Sequence, residues 1–251
     1  MSNYNVVAVI PIKGRLELLT QTIKRLKAKN NVSTVICVGE TLTEKNCVQK
    51  AGGVFVIHRN DPLGAKWNYG FKFAKKYNPD AVLFVGSSDW LSDNWIQVMV
   101  AQLEGNAMVG VAGCHFADFK KEKCRLVYWK GYALGAGGRA KERANEPIGI
   151  GRLISAKYLD SVNWMPIENG LNKSIDWSMY QMILNSGGKI KMVEDNTIHA
   201  LSISCDLWPN KHQFEDHWSG SLPSVKIRFG EEFLDEHFPE YITFNQIVNA
   251  S

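Results

Sequence analysis

Between residues 6 and 85 the chain holds four short apolar runs, VVAVI (6–10), TVICV (34–38), VFVI (54–57) and AVLFV (81–85). Their valine, isoleucine and phenylalanine content and unbroken apolarity predict strands buried on both faces. Between the first two, Leu16, Leu19, Ile23 and Leu26 recur at helical spacing, with basic residues on the opposite face. Trp67, Phe71 and Ala74 form a second helical stripe, and Ile96, Met99, Val100 and Leu103 a third. Strands alternating with helices predict a mainly parallel sheet sandwiched by helices. Ligands of such sheets bind outside the carboxyl ends of the strands, which is where Gly86-Ser87-Ser88-Asp89 falls.

A chain of 251 residues is long enough for one large α/β domain or two small ones. With no internal repeat and no clean linker, the expectation is a single domain over residues 1–205 with a C-terminal extension over 206–251. Within the domain, a first half over residues 1–110 is expected to be followed by a second over 111–205. No apolar run approaches the roughly 20 residues of a membrane span, and the N-terminus reads as a first strand, not a signal peptide. The five cysteines are odd in number and lack a CxxC pair, which argues against a disulfide framework or zinc site and for a cytoplasmic setting. A net charge of +4 permits a phosphate-bearing partner without demanding one. Residues 130–152, glycine-rich with five basic residues, are expected to form a long loop. Residues 153–164 and 175–188 read as helices, the second closed by Gly187-Gly188. His212 and His217, in the extension, have no standard metal spacing and read as part of a surface helix.

Common α/β chemistries are disfavoured by the turns. The first strand runs into Pro11-Ile12-Lys13-Gly14, where a dinucleotide cradle needs glycines for close approach to the pyrophosphate. There is no GxxxxGK[ST] phosphate loop and no G-x-S-x-G nucleophile elbow.

Five segments in order resemble the GT-A glycosyltransferases, in particular the inverting family-2-like group. VVAVIPIKGRLELLTQTIKRL is similar to the opening strand, proline turn and helix; Gly39-Glu40 falls where an acid contacts the nucleotide base. RNDPLGAKWNYGFKFA is similar to the family's asparagine- and glycine-bearing helix, VLFVGSSDWLSDNW to its D-x-D turn, and KSIDWSMYQMILNSGGK to the segment with the catalytic base. The resemblance covers about residues 6–199. It implies a Rossmann-like GT-A fold, a nucleoside-diphosphate-sugar donor, and Pro11, Lys13, Arg15, Glu40, Lys66, Asn68, Ser88, Asp89 and Arg152 as donor-binding residues. The family's D-x-D holds a divalent metal, Mn²⁺ or Mg²⁺. Here Gly86, Ser87 and Ser88 occupy its positions and only Asp89 is acidic, with His199 at the place of a late metal ligand. Lysine or arginine is the alternative means of neutralising the leaving diphosphate.

Such a displacement needs a base for the acceptor hydroxyl, and the resemblance assigns Asp176; the plainer reading is a helix cap. Asp89 is a donor or metal contact, or an Asx-turn or cap residue. Glu40 is a base contact or a solvated acid. Lys66 and Asn68 are functional or a helix's polar face, with Asn68 tying that helix to the acidic turn. Arg139, Lys141 and Arg143, with Trp177, are acceptor-side candidates; the basic residues form a diphosphate lid, a strip along DNA, or a solvated loop. The serine-bearing turn and the GIGRLIS region resemble small phage-type transferases, some of which glycosylate hydroxymethylated bases in DNA. A cell-surface glycan is the competing acceptor, and a non-catalytic nucleotide-sugar module the competing class.

Overall fold

The computed structural model describes residues 4–118, 124–132, 142–204, 211–220, 224–242 and 244. In chain order the first half runs β1 (Val6–Pro11), α1 (Leu16–Ala28), β2 (Thr34–Gly39), α2 (Leu42–Lys50), β3 (Val54–Ile57), α3 (Leu63–Ala74), β4 (Ala81–Phe84), β5 (Asp89–Leu91), α4 (Trp95–Val100) and β6 (Met108–Val111). There follow β7 (Cys114–Asp118), β8 (Arg125–Trp129), β9 (Arg152–Ser155), α5 (Ala156–Ser161), α6 (Ile175–Asn185), β10 (Ile190–Val193), β11 (Ala200–Ser204), α7 (Lys211–Ser219), β12 (Ser224–Lys226) and α8 (Gly230–His237). Seven strands form the large sheet, in the order β10-β6-β9-β4-β1-β2-β3, and five a second sheet, β12-β8-β7-β11-β5. In the large sheet β9 alone runs antiparallel to its neighbours.

The unbroken apolar runs are explained by their position. Val6, Ala8 and Ile10 of β1 face a core built with Leu19, Ile23 and Leu26 of α1, Val48 of α2 and Met99 of α4. Val7 and Val9, pointing the other way, face Trp67, Phe71 and Ala74 of α3 and Met179 and Ile183 of α6. Both faces of the strand are dry, so alternation disappears. Each such valine contributes about 1.5–3 kcal/mol by leaving water. Helix α2, absent from the periodicity, is held by a capping box between Thr41 and Glu44.

Two sequence expectations change. Residues 152–155 are the strand β9, where 152 read as the end of a loop and 153–155 as the start of a helix. It lies between β4 and β6, and Leu153 and Ile154 enter opposite cores. The described residues of the C-terminal extension pack on the second sheet. β12 pairs with β8, and Leu234 of α8 and Phe238 just after it join Leu18, Trp90, Leu126 and Leu201 in a third core over the second sheet. Arg25, buried in α1, reaches this segment through Glu240 at 2.5 Å. Helix α7 buries His217 against Phe116, where a surface helix was expected. Among the described residues no helix is long and apolar enough to cross a membrane.

Candidate active site

A cavity of about 550 Å³ opens at the carboxyl ends of β1 and β4, lined by Pro11, Lys13, Arg15, Lys66, Ser87 and Ser88 among others. Five of the predicted donor-binding residues therefore converge: Pro11, Lys13, Arg15, Lys66 and Ser88. Lys66 is 1 % exposed. Its Nζ donates to the carbonyl of Ile12 and, at 2.5 Å, to Oδ1 of Asn60. Burial pushes its pKa down to about 8, opposed by Glu44 and Glu40 and assisted by Lys13. It is a buried ammonium facing a cavity, not the polar face of a helix. Glu40 stands exposed beyond β2, and its Oε2 accepts from Asn60 Nδ2 at 2.5 Å, so Asn60 links it to Lys66.

Behind the first turn lies a second acid that the sequence reading did not single out. Glu44 accepts backbone N–H bonds from Gly14 at 3.1 Å, Glu40 at 2.8 Å and Thr41 at 3.0 Å. Burial works to raise its carboxyl, but these donors hold it below the usual range. The Pro11–Gly14 turn is thereby braced on α2. The S/T-x-x-E pattern at Thr41 was its only sequence signal.

Asp89 begins β5, 8 % exposed. Its Oδ2 accepts from the Gly86 N–H at 2.8 Å, and a Cβ on Gly86 would stand 2.5 Å from that oxygen, so a side chain there would push the carboxylate aside. Burial raises its pKa to about 6, against the Gly86 N–H, Ser202 and Arg15, with Asp176 adding to the rise. Asp89 does not cap the helix after it; that position belongs to Asn94.

Asp176 opens α6 after Ser174, whose φ of 57° is left-handed. The N-cap position is Ser174, without a side-chain cap. The Asp176 carboxylate instead accepts the Tyr132 hydroxyl at 2.9 Å and packs over Gly149, where a Cβ would lie 2.5 Å from Oδ2. Arg143 stacks over the Tyr132 ring at 3.5 Å and near the Trp177 ring at 5.6 Å. Glu146 grips Arg143 at 2.5 and 2.8 Å and reaches Arg152 Nη2 at 3.2 Å. Arg152 Nη1 donates to the Asp176 carbonyl at 2.8 Å. A closed ring results: Asp176, Tyr132, Arg143, Glu146, Arg152 and back to Asp176. Tyr132 and Glu146 were missed, each a single residue in a stretch that reads as loop.

Several predicted residues take other places. Arg152 is fully buried, its donors directed at Ile148, Pro147, Glu146 and Asp176, so it braces the site and does not line the donor cavity. Asn68 ties α3 to residues 167–169, not to the acidic turn: its Nδ2 donates to Ile167 O at 2.5 Å and Asn169 Oδ1 at 2.8 Å. Arg143 is tied to Glu146 and Tyr132 beside Asp176, and is not presented to track a DNA backbone. Arg139 and Lys141 lie outside the described residues.

His199 does not join Asp89. Asp89 pairs with Ser202 and Leu91 with Ala200, and paired residues share a face, so His199 falls on the other face of the second sheet. Its ring packs on His237 at 4.2 Å and Phe233 at 5.1 Å, and burial, then His237, pushes its pKa down to about 4. A divalent cation of the Mg²⁺ or Mn²⁺ kind needs several oxygen ligands. Among the described residues no group of three or more His, Cys, Asp or Glu side chains is arranged to hold a metal. The donor set around Asp89 does not fit a protein-held cation.

No family model matches this sequence, and no curated protein matches it either. Solved structures do match in fold. Glucosyl-3-phosphoglycerate synthase from Mycobacterium tuberculosis, in complex with phosphoglyceric acid, aligns over 84% of this chain and 75% of its own, with 13% identity and a TM-score of 0.55. A further mycobacterial protein aligns over 81% of this chain and 66% of its own, with 13% identity and a TM-score of 0.52. At such identities the likeness establishes architecture: this chain has a GT-A-like α/β fold with a mainly parallel central sheet flanked by helices.

Proposed function

We propose that this protein transfers a sugar from a nucleoside-diphosphate donor to an acceptor hydroxyl. The observation that carries this reading is the convergence of Lys13, Arg15 and Lys66 on one cavity at the carboxyl ends of β1 and β4. Fixed positive charge there suits a diphosphate, both as ground-state anchor and as acceptor of the charge that develops on the leaving group. Glu40, at the end of β2, is the candidate contact for the nucleotide base.

Asp176 is the candidate base. It takes the proton of the acceptor hydroxyl as that oxygen bonds the anomeric carbon, while the carbon–oxygen bond to the diphosphate breaks and its electron pair leaves with the phosphate. A single displacement of this kind inverts the anomeric centre. Tyr132 holds the carboxylate in one orientation and Arg152 fixes the backbone carbonyl of the same residue, which supports a base more than a cap. Trp177 and Arg143 border Asp176 and supply a flat wall for an acceptor ring. A glycan hydroxyl is the acceptor this wall suits. The hydroxymethylated DNA base rests on the resemblance alone, since Arg143 is already ion-paired.

The test is a thermal-shift panel of nucleotide-sugars followed by a donor-turnover assay with and without sugar acceptors. A true donor at a hundredfold excess over Kd stabilises the fold by about 2.7 kcal/mol. No stabilisation by any donor would sink the reading. Stabilisation with no turnover under any acceptor would favour a binding module.

A further inference from the structure

We propose that the donor diphosphate is held by a cation built into the chain, the guanidinium of Arg15 clamped on Ser88, so that donor binding does not depend on a divalent metal. This rests on the nucleotide-sugar reading above and concerns the same cavity.

The turn after β4 lines the cavity with Gly86, Ser87 and Ser88 and contributes no acid to its wall. Arg15 Nη1 donates to Ser88 Oγ at 3.1 Å, which brings a positive charge to the side chain where the D-x-D motif would carry a carboxylate. A carboxylate at position 88 would add a negative charge beside that guanidinium. The one acid of the turn, Asp89, is folded back onto Gly86 and bonded there at 2.8 Å, so it serves the turn and not a ligand sphere.

The backbone bears the mark of this placement. Gly14 and Arg15 are consecutively left-handed, at φ 69° and 56°. Glycine adopts that region freely, but a long side chain there is strained by about 1–2 kcal/mol. Such strain persists only where surrounding contacts over-determine it, and it gathers at ligand sites. Here the left-handed pair turns the chain sharply before α1, and the Glu44 bond to the Gly14 N–H braces the turn from behind. Helix α1 then starts at the cavity wall, with no side chain capping it. Lys66 adds an ammonium with two hydrogen bonds to protein, leaving one donor for the cavity it lines. Arginine is always charged and its fork matches phosphate oxygens, so the clamp works at any physiological pH.

The experiment measures Kd by calorimetry for UDP-, GDP-, ADP-, CDP- and dTDP-glucose, each in EDTA and in Mn²⁺ or Mg²⁺. For the donor that binds, the wild-type Kd is expected to agree within about twofold between EDTA and metal. Arg15→Ala is expected to weaken binding in EDTA by about tenfold to a hundredfold, the usual range for a hydrogen bond to a charged group. Arg15→Lys should recover only part of it, since lysine lacks the fork. If Arg15→Ala does not fold, Ser88→Asp reads the same clamp. It restores the family's acid, yet is expected to weaken metal-free binding by about tenfold. Binding that requires metal and disappears in EDTA overturns the clamp while leaving the transferase reading intact, as does Ser88→Asp with unchanged affinity. No binding by any donor in either buffer overturns that reading, and the clamp with it.

Discussion

Glu146 offers the sharpest test of how Asp176 is held. Its side chain is fully buried, as is that of Arg152, while Arg143 is 18 % exposed. Glu146→Gln keeps the shape and one carbonyl acceptor but removes the negative charge from between two guanidinium groups. Breaking a buried pair by removing one partner costs about 3–5 kcal/mol. The retained acceptor argues for the lower end, about 3 kcal/mol. For a chain of this size the melting midpoint moves by about 2–4 °C per kcal/mol, so a fall of roughly 6–12 °C is expected in calorimetry. The second consequence is kinetic. Without the Glu146 charge, the grip that holds Arg143 on the Tyr132 ring loosens, and Arg152 loses one of the partners that fix its reach to the Asp176 carbonyl. A carboxylate that is misaimed by even about 1 Å loses on the order of a hundredfold in rate. Donor KM should hold, because none of the ring residues lines the donor cavity. The decisive pattern is a large drop in kcat at constant donor KM, measured well below the variant's melting midpoint. A variant that melts within 2 °C of wild type, or keeps its kcat, refutes the ring as the device that aims Asp176.

Asp176→Asn should retain the fold and donor affinity while turnover falls by about 10²-fold or more; near-normal turnover removes it from the mechanism. Lys66, with a pKa brought down to about 8, is cationic below that pH and neutral above it in the free protein. Donor affinity should therefore be flat below pH 8 and fall by at most about tenfold per pH unit above it, read by calorimetry, and Lys66→Met should abolish that slope. Asp89 has a folded pKa of about 6, above its ordinary 3.8, so ionising it destabilises the fold. That cost is absent below pH 3.8, grows between 3.8 and 6, and is complete above 6. Asp89→Asn, whose amide oxygen can still accept the Gly86 N–H, should match wild-type melting at pH 3.5 and exceed it at pH 7.5.

What the chain declares locally is legible in its residues, and what it assembles from distant parts is not. Strands β1 to β4 read plainly because both faces of each are buried and apolarity runs unbroken through them. Strands β7 and β8, CHFAD and RLVYW, mix charged, aromatic and aliphatic residues because one face meets α8 and the other meets α7 and the main core. No single period survives that arrangement. β9 was hidden differently: it opens with an arginine, and only the ring through Glu146 shows why a charge can begin a buried strand. The candidate site divides the same way. Lys13 and Arg15 follow directly on β1, so the strand places them. Glu146 carries no sign in a glycine- and arginine-rich stretch, since its partners lie three residues before it and six after, and neither spacing marks a buried pair. Ser88 shows most clearly how far local reading goes. In the sequence it is only the place where an acid is missing. In the fold it lies against Arg15, 73 residues away, so the lost carboxylate and the guanidinium form one arrangement. Either half alone looks like a defect: a depleted motif, or a strained arginine at a helix start. Together they account for each other, because a carboxylate retained at position 88 would add a negative charge beside Arg15 and leave the cavity with less positive charge to offer a diphosphate.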